Sequence, residues 1–205
     1  MTQNVTQVNK LLILGALIRF QSANFQFNYL MELQMTEQQA SKNGVGVQAD
    51  VAGAQDFDFV IGNWRVHHKR LDNMFSEDKR WVEFEGLSST SHILGGAGNV
   101  EDNLLYFPDG AFRAVAMRAF NAQTGRWSIW WLDGRFPDKV DTPVVGSFKN
   151  NIGLFYADEV IKGRKTKVRF QWDASMPNNP KWAQAFSFDE GKSWETNWTM
   201  SFIPQ

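Results

Sequence analysis

From Asn63 to the end of the chain, large apolar residues alternate with polar ones in short runs broken by turn-forming residues, and this period of two limits the fold more than anything else. Side chains repeating every second residue are the mark of a half-buried strand, whereas a helix repeats at three and four. The clearest runs are Asn63 to Leu71, Arg80 to Gly86, Phe112 to Phe120, Trp127 to Leu132, Lys165 to Trp172, Lys181 to Phe188 and Trp194 to Ile203. Between them lie Asp109-Gly110, Asn121 to Gly125, Asn150 to Gly153, Lys162-Gly163, Asn178 to Pro180 and Asp189 to Gly191. Residues of these types supply positive φ or hydrogen-bond their own backbone at hairpin turns. No stretch after Asp56 repeats at helical spacing. Roughly eight short antiparallel strands without helices leave a barrel or a sandwich. Closure is the simpler way to hide strand edges this aromatic. The predicted class is therefore all-β, an antiparallel up-and-down β-barrel over residues 56–205.

The first 55 residues follow another pattern. Leu11 to Ile18 is the one long apolar run, flanked by Lys10 and Arg19, and it is far short of the ~20 residues that span a bilayer. Read as a secretory signal, it has a single Lys upstream and no small-x-small cleavage site after it. Secretion is thus the weaker alternative to a short helix or a poorly ordered extension, with Met31 or Met35 as an alternative start. Residues 36–55 are small, polar and free of aromatics, as in a linker. The expected division is an N-terminal extension over 1–55 and a barrel domain over 56–205.

Composition narrows the partners. Lysine and arginine number 21 against 22 acidic residues, so no uniform field draws the chain to nucleic acid or to an acidic membrane face. There is no cysteine, which removes disulfides, thiol nucleophiles and thiolate metal sites, and fits a reducing, cytoplasmic setting. Nine Trp and seventeen Phe exceed what an ordinary core of this size needs, and aromatics line ligand cavities.

Asp56 to Trp64 (DFDFVIGNW) reads as a 3₁₀ turn running into a strand through Gly-x-Trp, followed by His68 and Arg70-Leu71. Further on come Gly95 to Asn99 (GGAGN), Thr124 to Arg135 (TGRWSIWWLDGR), Trp182 to Phe188 and Trp194 to Trp198 (WETNW). Together these segments resemble a bacterial domain family of unknown function in the calycin, or lipocalin-like, group, over about 150 residues from Asp56 to Phe202. The resemblance implies a lipocalin-like barrel whose Gly-x-Trp opens the first strand, with Trp64 plugging the floor. It implies no activity. It does imply that an arginine, Arg70 or Arg118, stacks on the floor tryptophan as a brace. A haem site like that of nitrobindin-like calycins would need an axial ligand on a late strand, and no histidine follows His92.

If Trp64 points inward, alternation sends Val66, His68 and Arg70 inward and Arg65, His67 and Lys69 outward. His67 and His68 then cannot chelate one metal, and no metal site is expected. Trp194, Thr196, Trp198, Met200 and Phe202 share the expected inner face of the last strand, with Trp182, Gln184, Phe186 and Phe188 on the strand before and Val168, Phe170 and Trp172 on the one before that. The segment Trp127 to Trp131 has large rings on both faces. Its outward Trp130 could meet a second protomer, making a homodimer the other partner to consider.

Several tempting motifs lack their context. Ser187 to Trp194 (SFDEGKSW) matches the Asp-box of sialidase propellers, which occurs in several copies; one copy reads as a hairpin clamp. Gly95 to Asn99 lacks the helix and Lys-Ser/Thr of a phosphate loop and reads as a flexible loop at the barrel mouth. Glu83 and Glu85 alternate with apolar Val82 and Phe84, so they are expected in solvent. No Gly-x-Ser-x-Gly elbow is present.

The expected function is binding of an apolar or aromatic small molecule by Trp64, Val66, His68, Arg70, Arg118, Trp131, Asp133, Arg135, Tyr156, Phe170, Trp172, Gln184 and Trp198, with no cofactor and no transmembrane span. The alternative is a cofactor-independent isomerase, cyclase or lyase, with His68 as acid or base and Arg70 stabilising negative charge.

Overall fold

A computed structural model describes residues 52–205. The apolar run Leu11 to Ile18, Met31, Met35 and most of the expected linker lie outside the described residues.

Ten strands run in chain order: β1 (Gly62–Leu71), β2 (Trp81–Ile93), β3 (Gly98–Leu105), β4 (Phe112–Asn121), β5 (Arg126–Asp133), β6 (Val144–Lys149), β7 (Ile152–Ile161), β8 (Arg164–Asp173), β9 (Lys181–Ser187) and β10 (Glu195–Pro204). Each pairs antiparallel with its successor, and β1 pairs with β10, closing an up-and-down barrel. All seven runs read from the alternation are strands. Two of the hairpins use two-residue turns with both residues at positive φ, Asn150-Asn151 and Lys162-Gly163, as the right-handed twist of the flanking strands demands. The single Asp-box closes another: Asp189 accepts hydrogen bonds from the Ser193 backbone and hydroxyl and from Ser187, and the Trp194 indole donates to Gly191 O.

One end of the barrel is closed. A 3₁₀ turn (Asp58–Val60) leads into β1, and the Phe57 ring before it sits at the hub of an aromatic cluster. Its centroid lies 5.0 Å from Trp127, 4.9 Å from Phe148 and 5.6 Å from Phe155. Trp64 is buried beside this plug and donates from Nε1 to Val60 O at 2.8 Å. The plug reaches upstream of Asp56: Ala54 is buried, and Gly53 O accepts from Trp127 Nε1 at 2.8 Å. These residues of the expected linker are attached to the barrel.

Trp64, Val66 and His68 are all buried, while Arg65 and Lys69 are exposed, so β1 has the orientation that alternation requires. On β2, Glu83 and Glu85 face solvent and meet His67 and Lys69 of β1. On β5 the inner set is Trp127, Ile129 and Trp131.

Two expectations are corrected. Gly95 to Asn99 is not a mouth loop: it makes a tight turn at the closed end, and Gly98 and Asn99 already belong to β3, with Asn99 buried. On β10 the register shifts between Thr196 and Trp198, so a bulge at Asn197 breaks the alternation. Trp198, Met200 and Phe202 face inward as expected, but Thr196 is exposed, and Trp194 lies against Tyr156 and Arg169 on the outside.

Candidate functional site

Between the plug and the opposite end lies a cavity of about 400 Å³. Its far rim is the β5–β6 connection, from which exposed Phe136, together with Lys139 and Asp141, borders the opening.

The two walls differ in chemistry. The β8–β9–β10 wall is aromatic: Phe170 and Trp172, Trp182, and Trp198. Their rings interlock edge to face, Trp182 at 4.9 Å from Phe170 and 5.7 Å from Trp198, with Trp131 of β5 at 6.2 Å from Trp198. Across the barrel, β2, β3 and β4 turn polar groups inward: Ser88, Thr90, Asn99, Glu101, Asn103 and Arg118, all buried. Arg118 and Glu101 form an ion pair with both side chains under 5% exposed. The pair is held on each side, since Ser88 Oγ donates to Glu101 Oε1 at 2.7 Å and Arg118 donates to Asn99 Oδ1 at 2.8 Å. The guanidinium also lies 5.1 Å from the Phe57 ring centroid and 5.4 Å from that of Trp172. Each member of the pair thus has one further polar partner, while Arg118 Nε is buried without one, and a buried pair held in this way is a rigid base for the cavity.

A second cationic group stands nearer the mouth. The Arg70 guanidinium stacks on Trp198 at 4.7 Å and approaches Phe107 at 5.9 Å. Burial, then the nearby charge of Arg135, pulls its pKa down, with Asp133 acting the other way. Asp133 itself is engaged by Arg135, which donates to both its carboxylate oxygens and lies over the Phe112 ring at 3.7 Å. That hydrogen bonding holds the Asp133 carboxyl below the usual carboxylate range. Asp141 moves the opposite way, raised by burial and by Glu159.

Of the expected site residues, Arg70, Arg118, Trp131, Asp133, Arg135, Phe170, Trp172, Gln184 and Trp198 line this one cavity. Four do not. Trp64 and Val66 belong to the core at the closed end, and Tyr156 is exposed on the outer face. His68 points inward but lies behind the lining: it stacks on Phe84 with centroids 4.6 Å apart, and its Nδ1 accepts from Trp198 Nε1 at 3.3 Å. Burial, reinforced by His67 and Arg70, pushes its pKa down to about 3, so the ring is neutral. Both arginines make the expected cation-π contacts, though not on Trp64. Reasoning from alternation missed Glu101, Asn103 and Ala116, and the rim residues Phe136, Lys139 and Asp141. An inward Arg118 in line with Ala114 and Ala116 on one face of β4 is the signal in the sequence for a buried acid opposite it.

No family model and no curated protein matches the chain. Solved structures do. A phycobiliprotein lyase of the S type from Guillardia theta is similar with a TM-score of 0.50 at 7% identity, covering 73% of this chain and 90% of that one. Rv2717c from M. tuberculosis is similar with a TM-score of 0.48 at 11% identity, covering 76% of this chain and 99% of its own. The fold is that of the calycin-like barrels. Among the described residues no helix is long and apolar enough to cross a membrane.

Proposed function

We propose that the barrel binds an apolar or aromatic small molecule in its cavity. The observation that supports this reading is the combination of volume and lining: about 400 Å³ of space walled by Phe170, Trp172, Trp182, Trp198 and Trp131, with a few polar groups at fixed positions. Close-packed interiors do not leave such a space, and ligand sites have this make-up. The closed ten-stranded barrel and the motifs from Asp56 to Phe202 also support membership of the bacterial calycin family they resemble. A phycobiliprotein lyase has a barrel of this fold, but an acid–base reaction by His68 finds little support, because a pKa pushed down to about 3 makes the ring a weak base and it stands behind the cavity wall.

The test uses the space itself. Ala116 is buried on the cavity wall opposite Trp131. Ala116→Phe places a ring where the ligand would lie. Native mass spectrometry of the protein purified from its source should show a retained small molecule that is lost in the variant, while thermal unfolding remains cooperative. Equal loading of both proteins would refute the reading.

A further inference from the structure

Arg70 has neither an ion pair nor a hydrogen bond among the described residues, although its guanidinium is taken largely out of water against Trp198 and Phe107. The other cations of the cavity differ. Arg118 is neutralised by Glu101, and Arg135 by Asp133. Stacking satisfies the face of a guanidinium but leaves its in-plane N–H donors unmet. A half-buried cation with free donors, facing an apolar space, is the complement of one particular ligand feature.

We propose that the ligand carries a carboxylate, and that Arg70 receives it at the inner edge of the mouth while the apolar body lies along Trp182, Phe170 and Trp131. The inference rests on the reading of the cavity as a small-molecule site and adds the ligand's charge. The planar fork of Arg70 matches two carboxylate oxygens, and such bidentate bonds are stronger than neutral ones. Asp133 sets the limit on this attraction. Its carboxylate lies close enough to oppose a second anion, yet is engaged by Arg135 rather than Arg70. A ligand carboxylate would thus supply the counter-charge that Arg70 lacks beside the Asp133–Arg135 pair.

The test compares 2-naphthylacetate with the neutral alcohol 2-(2-naphthyl)ethanol by isothermal titration calorimetry on the full chain. The two share a ring system and differ in the anionic group. Wild type should bind the acid about tenfold or more tightly than the alcohol, in line with a charged hydrogen bond. In Arg70→Gln that preference should fall to within about twofold, through a selective loss of acid affinity. Asp133→Asn, at the mouth, should move the preference the other way, widening the margin of acid over alcohol; this gain cannot come from misfolding. Equal affinities in wild type, or a preference that survives Arg70→Gln, would make Arg70 a stacking brace and overturn the inference while leaving the binding site intact. Binding of neither compound in wild type would count against the cavity reading itself, and the inference would fall with it.

Discussion

Trp198 donates its indole N–H to Nδ1 of His68 at 3.3 Å, across two adjacent strands at the inner surface of the barrel. The bond requires the imidazole to keep Nδ1 unprotonated, and the Phe84 ring lying 6° from parallel with it leaves the imidazole little access to water. Charge is therefore costly here, and the pKa falls from 6.5 to about 3.

Stability should follow from that depression. A group with a lowered folded pKa contributes nothing adverse above its unfolded value, because both states are then neutral. Below pH 6.5 the unfolded chain takes up a proton that the folded chain refuses until about pH 3. Stability should therefore fall between those limits, at up to about 1.4 kcal/mol per pH unit from this one group. Urea titrations of wild type and His68→Gln between pH 7 and 5 should converge as pH drops, the variant losing less. Parallel curves would place the ring's titration at its ordinary value.

Gly86 is the room in which that imidazole sits. A Cβ at Gly86 would stand 2.6 Å from His68 Nε2 and 3.0 Å from Leu104 O, one of them a backbone atom that cannot yield cheaply. Gly86→Ala should destabilise the barrel by about 1–3 kcal/mol, the range for overpacking a filled interior. The denaturation midpoint measures this, and combination with His68→Ala should recover part of the loss.

Phe57 seals the closed end of the barrel. Its ring meets Trp127, Phe148 and Phe155 and supports the Arg118 guanidinium from below. Phe57→Ala should cost about 3–5 kcal/mol in chemical denaturation, as for a large buried ring. A loss below 1 kcal/mol would mean that the neighbouring rings close over the gap.

Alternation made the aromatic wall legible because apolar residues on strands such as Phe170 to Trp172 announce the inner face directly. It failed on β3 for a physical reason. The inner residues there are Asn99, Glu101 and Asn103, followed by Leu105, and the outer ones include Val100 and Leu104, so over most of its length the usual polarity of a strand is inverted. Such a strand reads as a loop unless its partner is known, and the partner, Arg118, lies on β4. The bulge at Asn197 was hidden for a different reason: it is an event of backbone register, and WETNWTM alternates cleanly enough to suggest a continuous strand. The mouth residues Phe136 and Asp141 lie on a connection, where no period exists to place them.

The inverted strand leads to a prediction about coupling. Glu101 and Arg118 neutralise each other in the interior, so removing one leaves a charge with no counterpart. Glu101→Leu should cost about 3–5 kcal/mol, and Arg118→Leu a similar amount. The double variant should cost far less than their sum, because the second substitution relieves the penalty created by the first. A double-mutant cycle from guanidinium denaturation would measure this. Additive losses would mean that each group is held mainly by its neutral neighbours: Glu101 by Ser88 Oγ, and Arg118 by Asn99 and the rings of Phe57 and Trp172.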